Sequence, residues 1–411
     1  MSRTVALAVD LGASGGRIVS GAFDGKLLEL KELHRFENGP VIFGGQLVWD
    51  LVGLWGGVLD GLRVAANQHR DAIQSIGVDT WGVDFSFVTK SNALLSEPVC
   101  HRDARTKGLI EKAARTVSKK ETFEATGLQF LEINTLYQLL AIKRDQPELL
   151  AAADRLLMIP DLMHWLLSGQ RSNERTIAST TQCFDSRKGQ WANNLLDQFE
   201  IPTNLFQQVS EPGHDIGSLR TDIAADTGLR DVRVVLPGSH DTASAVAAVP
   251  ALEPPSSRPD WCYISLGTWA LVGAELDRPL VTPECLAHNF TNEGGVGGTT
   301  RLLKNLCGLW IVQQCRASWQ RSGKNWDWDQ LTALAAESAP LQTIIDSSHP
   351  SLVAPNDMPA AIKELAKQSK QPIPESTGAV IRTALESVAA KVSQTLQELD
   401  ELIGRRIGLS L

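Results

Sequence analysis

Apolar positions fall first in short extended runs. Thr4 to Leu11, Arg17 to Phe23 and Leu27 to Phe36 predict three strands. Gly12, Gly15 and Gly16 mark the first turn, and Asp24-Gly25 is a hairpin signal at the second. The period then lengthens. Leu51, Leu54, Trp55, Val58, Leu62 and Ala65 recur at helical spacing behind Asp50 as N-cap. Ile73 to Val78 is a buried-type strand that ends at Asp79.

Residues 106 to 170 read as mostly helical. Leu136, Leu139 and Leu140 mark one segment. Pro160, Leu162, Met163, Trp165 and Leu166 mark another, with Gly169 as its stop. Arg233 to Leu236 predicts a strand, followed by a helix from His240 through Ala248. Pro250, Pro254, Pro255, Ser256, Ser257 and Pro259 form a breaker-rich linker. Past it the opening pattern recurs. Trp261 to Leu266 is a strand, Gly267-Thr268 a turn, Trp269 to Ala274 a second strand, and Thr299 to Leu303 a third. A helix is expected from about Asn305 to Trp319. Two segments that each open on strands around a Gly turn and continue into a helix point to an internal duplication. The domains are expected at 1–248 and 249–411. The last helix spans roughly 376 to 403, with Ile381, Leu385, Val388, Val392, Leu396, Leu399 and Leu402 as its stripe.

At 411 residues the chain has room for two cores. Its 43% hydrophobic and 21% charged content is that of a globular protein. A net charge of -8 with no basic run argues against nucleic acid as a partner. Asp10 interrupts the apolar run Val5 to Val9 too early for a signal peptide. No run approaches the roughly 20 apolar residues that cross a bilayer. Cys100, Cys183, Cys262, Cys285, Cys307 and Cys315 are scattered, without metal-site spacing, as expected of reduced thiols in a cytoplasmic protein.

Four places carry candidate chemistry. In Asp10-Leu11-Gly12-Ala13-Ser14-Gly15-Gly16-Arg17, small residues let backbone N–H groups approach an anion. Ser14 and Arg17 add a hydroxyl and a charge, and Asp10 suits Mg²⁺. In Gly238-Ser239-His240-Asp241-Thr242, Asp241 opens a helix, either as a cap or as a base for a hydroxyl. Gly267-Thr268 repeats the turn motif and offers donors to a phosphate. In Asp79-Thr80-Trp81-Gly82-Val83-Asp84, Gly82 permits close approach of a ligand, and Trp81 is either a sugar platform or core. Asn305 and Gln313, eight apart, are expected on one helix face. The chain has no GxxxxGK[ST], no GxGxxG opening a βαβ unit, no HExxH and no GxSxG.

Together these motifs, with Asn134-Thr135-Leu136-Tyr137-Gln138-Leu139, Thr291-Asn292-Glu293-Gly294-Gly295, Leu303-Lys304-Asn305 and Gly308-Leu309-Trp310, resemble the FGGY family of carbohydrate kinases. The resemblance is strongest to its L-rhamnulose-phosphorylating branch. It implies an α/β, two-lobed actin-like ATPase (ribonuclease H-like) fold with the active site in the interlobe cleft. It implies transfer of the γ-phosphate of ATP, with Mg²⁺, to the 1-hydroxyl of L-rhamnulose. Carried over by motif, Asp241 is the base and Asp10 the metal residue. Gly82, His240, Asp241, Thr242 and Asn305 contact sugar. Ala13, Ser14, Gly15, Gly16, Arg17, Thr268 and Gln313 contact ATP. Family members continue past the long helix into a strand and a glycine-rich adenosine loop, whereas here the chain reads Arg405 to Leu411 and stops. The second lobe is therefore expected to be incomplete, with one edge of the Trp261 strand unpaired. The competing readings are a kinase of another sugar, such as fuculose or xylulose, and an inactive sugar-binding protein.

Overall fold

The computed structural model describes residues 4–251, 254–353 and 355–410. The chain forms two compact units: Met1–Leu252 with Asp277–Arg301, and Glu253–Leu276 with Leu302–Leu411.

The first unit is built on a six-stranded sheet. Its strands are β1 (Thr4–Gly12), β2 (Gly15–Phe23), β3 (Leu28–Glu37), β4 (Ile73–Thr80), β5 (Asp215–Ser218) and β6 (Arg233–Val235), in the spatial order β5-β6-β4-β1-β2-β3. β1, β2 and β3 form an antiparallel meander, while β4 runs parallel to β1 and β6 parallel to β4. In β1, Val5, Leu7, Val9 and Leu11 are buried and alternate with more exposed positions. Helix α1 (Leu51–His69) covers one face through Leu51, Leu54, Val58, Leu62 and Ala65. It comes close because Gly61 has no side chain: a Cβ there would lie 2.2 Å from Cγ1 of Ile18. Helix α2 (Ile159–Ser168) ends at Gly169 in the left-handed conformation (φ 76), the stop expected from the sequence. A second apolar core gathers Phe85, Phe87, Leu136, Leu139, Phe184 and Leu196. Within the span read as mostly helical, Arg155–Met158 is instead a strand, paired with Phe85–Val88. Helix α3 (Asp241–Ala247) follows β6.

In the second unit, β7 (Trp261–Leu266) and β8 (Trp269–Leu276) form an antiparallel hairpin. β9 (Thr300–Cys307) adds beyond β8, followed by α4 (Trp310–Arg321). The long helix α5 (Thr377–Ile403) buries Val380, Ile381, Ala384, Val388 and Leu399. After it, β10 (Leu409–Ser410) pairs parallel with β7, Trp261 against Leu409 and Cys262 against Ser410. The expectation of a bare edge is thereby corrected at Trp261 and Cys262, the start of β7 that this short strand covers. The hairpin β7–β8 with a parallel neighbour repeats the arrangement of β1–β2 with β4, as a duplication predicts.

A second correction concerns Asn305. It lies within β9 rather than on a helix with Gln313, and the helix starts only at Trp310. Gly308 explains the break. A Cβ there would sit 2.6 Å from the Trp269 carbonyl carbon and 2.7 Å from the Gly267 oxygen, so backbone passes directly against backbone. Among the described residues no helix is long and apolar enough to cross a membrane. All six cysteines are free thiols.

Candidate active site

The first unit gathers carboxylates at one end of its central strands. β-Sheet register places Asp10 beside Asp79 on β4 and opposite Arg17 on β2. Arg17 grips Asp10 through Nε (2.7 Å) and Nη2 (2.6 Å). Where β4 ends, the N–H of Thr80 donates to the carbonyl of Ser239 (2.9 Å), and Thr80 bridges to His240. That contact brings the start of α3, and with it Asp241, to the same strand ends. The Asp79 carboxyl is pushed well above the ordinary range, first by burial and then by the charges of Asp10 and Asp241. Sequence reasoning gave Asp79 no role, since a lone Asp at a strand end carries no signal until its neighbours are known.

The β1–β2 turn borders an open depression of ≈ 530 Å³ lined by Asp10, Gly12, Ser14, Gly15, Gly16, Arg17, Arg35, Phe36 and Glu37. Ala13 is outside this lining and packs against the core. Asn38 holds the turn: its N–H donates to the Ser14 carbonyl and its Nδ2 to that of Gly12 (2.8 Å). Arg35 stands opposite Arg17 in the β2–β3 register, and both line the depression. Glu32 holds Arg35 by an ion pair.

The Ser239–Thr242 segment is fixed from beneath by Glu174. This buried carboxylate accepts from the N–H of Ser239 (3.1 Å) and from the Thr176 hydroxyl (2.6 Å), and that hydroxyl accepts from the N–H of His240 (3.1 Å). Burial raises the Glu174 pKa despite these donors. His240 is the N-cap residue of α3, with Asp241 its first helical residue. The Asp241 side chain is 39% exposed and accepts from the Thr242 hydroxyl (3.0 Å).

Gly82 and its neighbours form a strained loop. Val83, β-branched, has φ 68. Its N–H donates to Thr180 Oγ1 (3.1 Å), and its carbonyl accepts from Thr135 Oγ1 (2.7 Å) and Gln138 Nε2 (3.2 Å). Trp81 is core rather than an open sugar platform. It is buried, packs on Trp49 with ring centroids 4.3 Å apart, and donates from Nε1 to Asp84 (3.0 Å). Asp84 also accepts from Trp49 (2.7 Å) and Gln138 (3.0 Å) and contacts His101 Nδ1 (2.8 Å). Burial works to raise its pKa, but the His101 ring and these donors together bring it below the ordinary value. Asp84, Cys100 and His101 bring ligand atoms within 4.8 Å of one another. The oxygens of Asp84 are already occupied by donors, and burial pushes the Cys100 thiol up to about 12, so this trio is a hydrogen-bond knot rather than a metal centre.

In the second unit, Thr268 and Gln313 meet, with Gln313 Nε2 3.3 Å from Thr268 Oγ1. The carbonyls of Gly267 and Thr268 accept from the N–H groups of Leu309 (2.8 Å) and Trp310 (3.2 Å), tying the turn to the start of α4.

The model of the FGGY family of carbohydrate kinases matches with its N-terminal domain over residues 5–248 and with its C-terminal domain over residues 262–408. The chain is 39% identical over 401 residues to a rhamnulokinase of Bacteroides thetaiotaomicron, covering 97% of this chain and 80% of that protein. It is 36% identical over 396 residues to a rhamnulokinase of Oceanobacillus iheyensis, covering 96% and 82%. Among solved structures, a ligand-bound xylulose kinase from Lactobacillus acidophilus superposes with a TM-score of 0.78 at 15% identity, covering 99% of this chain and 81% of that one. A glycerol kinase with ADP from Plasmodium falciparum gives 0.74 at 12% identity, covering 99% and 81%. The C-terminal family match runs to residue 408, and the chain spans about four fifths of the length of the curated relatives it matches. The chain belongs to the FGGY family of carbohydrate kinases and is a sugar kinase with that family's two-domain, mixed α/β fold.

Proposed function

We propose that the protein transfers the γ-phosphate of ATP to the 1-hydroxyl of L-rhamnulose, with Mg²⁺, using Asp241 as the base. The observation that carries this reading is the convergence of Asp10, Asp79 and Asp241 at the ends of β1 and β4 and the start of α3. The choice of sugar rests on the 39% and 36% identity to proteins named rhamnulokinase. Asp241 is partly exposed at a helix start, where it can orient a hydroxyl and take its proton as the bond to phosphorus forms. Such a group mainly positions the nucleophile, because the transition state is loose. His240, Thr242, Gly82 and Asn305 are assigned to sugar. Ser14, Gly15, Gly16, Arg17 and Ala13 in the first unit, and Thr268 and Gln313 in the second, are assigned to ATP.

The residues present fit a divalent cation. Mg²⁺ takes carboxylate oxygens; Asp79 is raised first by burial and then by the charges of Asp10 and Asp241, and that repulsion is what a cation relieves. Asp10 and Asp79 would hold it, and Arg17 keeps Asp10 in place. When bound, the ion would neutralise charge on the phosphate oxygens. A panel of ketoses assayed for ADP release tests the proposal. L-Rhamnulose is expected to be the best acceptor. A clear preference for another ketose would overturn the substrate, and no turnover with any ketose would overturn the reaction.

A further inference from the structure

Beside Asp241 lies a buried cluster of which the proposed reaction uses only His240. The His240 ring is almost enclosed, with 10% of its side chain exposed. Its Nδ1 lies 3.0 Å from Nη2 of Arg301 and 3.4 Å from Oε2 of Glu293. Its Nε2 lies 3.4 Å from Oδ1 of Asp241. Arg301 is fully buried. It donates from Nε to the Gly294 carbonyl (3.0 Å), and its Nη2 is 3.2 Å from Glu293. All four residues belong to the first unit.

A guanidinium has only donors. Its 3.0 Å contact with Nδ1 is therefore a hydrogen bond only if Nδ1 offers its lone pair. In the neutral ring the proton must then sit on Nε2, the nitrogen that faces Asp241. The rival state, a doubly protonated ring, would set an imidazolium against a guanidinium in a buried space. The bond made by one ring nitrogen decides what the other presents. We infer that Arg301 is a positioning residue that fixes His240 as the Nε2–H tautomer and so turns a proton donor toward Asp241. Held this way, the Nε2–H of His240 faces one carboxylate oxygen at 3.4 Å and leaves the other for the incoming hydroxyl. Glu293 neutralises Arg301 and keeps its fork in register with the ring. The Nη1 of Arg301 has no hydrogen-bond partner among the described residues. A buried guanidinium kept at that cost is hard to explain by packing alone.

The inference rests on Asp241 being the base, but its main test does not. Ring ¹⁵N-labelled full-length protein, compared with H240Q to pick out the signal of His240, reports by two-bond ¹H–¹⁵N correlations which nitrogen carries the proton. The expected result at pH 7.5 is a neutral ring protonated at Nε2. A ring protonated at Nδ1, or at both nitrogens, overturns the inference whatever the role of Asp241. Removing Arg301 alone strands the charge of Glu293 and can unfold the site. The kinetic arm therefore uses the double variant R301M/E293M alongside R301Q/E293Q, which keeps a donor toward Nδ1 without stranding a buried charge. R301M/E293M is expected to lose the Nε2–H preference and about 10- to 100-fold in kcat, the range for a partner that orients a functional group, with the KM for sugar within about three-fold. R301Q/E293Q is expected to keep the tautomer and recover much of the kcat. A folded R301M/E293M variant with unchanged tautomer and kcat overturns the inference. Should Asp241→Asn prove fully active while the tautomer result holds, the base assignment fails and the tautomer assignment stands.

Discussion

In the first unit, β1 ends in Asp10, flanked by Asp79 and Arg17. At the matching place in the second unit, β7 leads into Gly267-Thr268, whose side-chain partner is the neutral Gln313. The difference continues below the surface. Among the described residues, the first unit buries Asp84, His101, Asp161, His164, Glu174, His240, Glu293 and Arg301. The buried polar side chains of the second unit are the hydroxyls of Thr343, Ser347, Thr383, Ser387 and Thr395. Burying ionisable groups is expensive and is tolerated where they are hydrogen-bonded or do chemistry. Under the proposed function, one hairpin design serves two purposes: the first copy would concentrate charge for metal and proton handling, and the second would offer neutral donors and backbone.

That contrast predicts unequal losses when each turn is altered. The largest falls on the first unit. Asp241→Asn keeps the size of the side chain but not its basicity, and turnover should drop about 10² or more, with sugar binding within several-fold. Near-normal kcat by ADP release would break the assignment. Asp10→Ala comes next. It frees Arg17 and removes the assigned metal carboxylate, so the Mg²⁺ concentration for half-maximal rate should rise about 10-fold or more, with sugar KM unchanged. Identical rate curves across magnesium concentrations would show that Asp10 does no metal work. In the second unit, Thr268→Val removes one neutral hydroxyl. A hydrogen bond of about 0.5–1.5 kcal/mol corresponds to a rise in KM for ATP of roughly 2- to 12-fold, with sugar KM untouched. If this change costs as much as Asp10→Ala, the division of labour drawn here is wrong.

Local pattern carried much of the fold. The β1–β2 hairpin, α1, α2 with its Gly169 stop, and α5 are written in periodicity and turn residues. The exceptions have identifiable causes. β9 runs on past Leu303, where the pattern predicts the strand to stop and a helix to begin near Asn305, and only the backbone contact at Gly308 shows where the strand must end. The site was legible as separate motifs but not as a network. Glu174 supports Ser239 from 65 residues away, and Arg301 reaches His240 across 61. No spacing rule ties such pairs together. Asp79 was in view without a role, because its raised pKa comes first from burial and then from Asp10 and Asp241, all of which only the fold supplies.

The last expected effect concerns stability rather than turnover, and it sharpens the contrast between the two interiors. His164 lies wholly inside the first unit and accepts through Nε2 from the N–H of Val78 on β4 (3.0 Å). Burial lowers its pKa from 6.5 to about 3. In the unfolded chain the ring takes a proton near pH 6.5, while the folded chain refuses it until about pH 3. Between those values the unfolded state binds more protons, so stability falls as pH falls, by about 1.4 kcal/mol for each pH unit in that window. Above pH 6.5 both states are neutral at this position and the contribution is constant. Asp79, Asp161 and Glu174 act with the opposite sign. Their raised pKa values mean that the folded state binds more protons, so the stability they cost at neutral pH returns on acidification. The comparison must therefore be between wild type and His164→Gln, in which the amide oxygen can still accept from Val78 and the carboxyls are unchanged. Melting temperatures followed by circular dichroism should differ by a constant amount above pH 7. Wild type should then lose ground to the variant steadily between pH 6.5 and 5. Parallel curves across that range would mean that His164 is protonated in the folded protein, and that the first interior is less closed to charge than its hydrogen bonds imply.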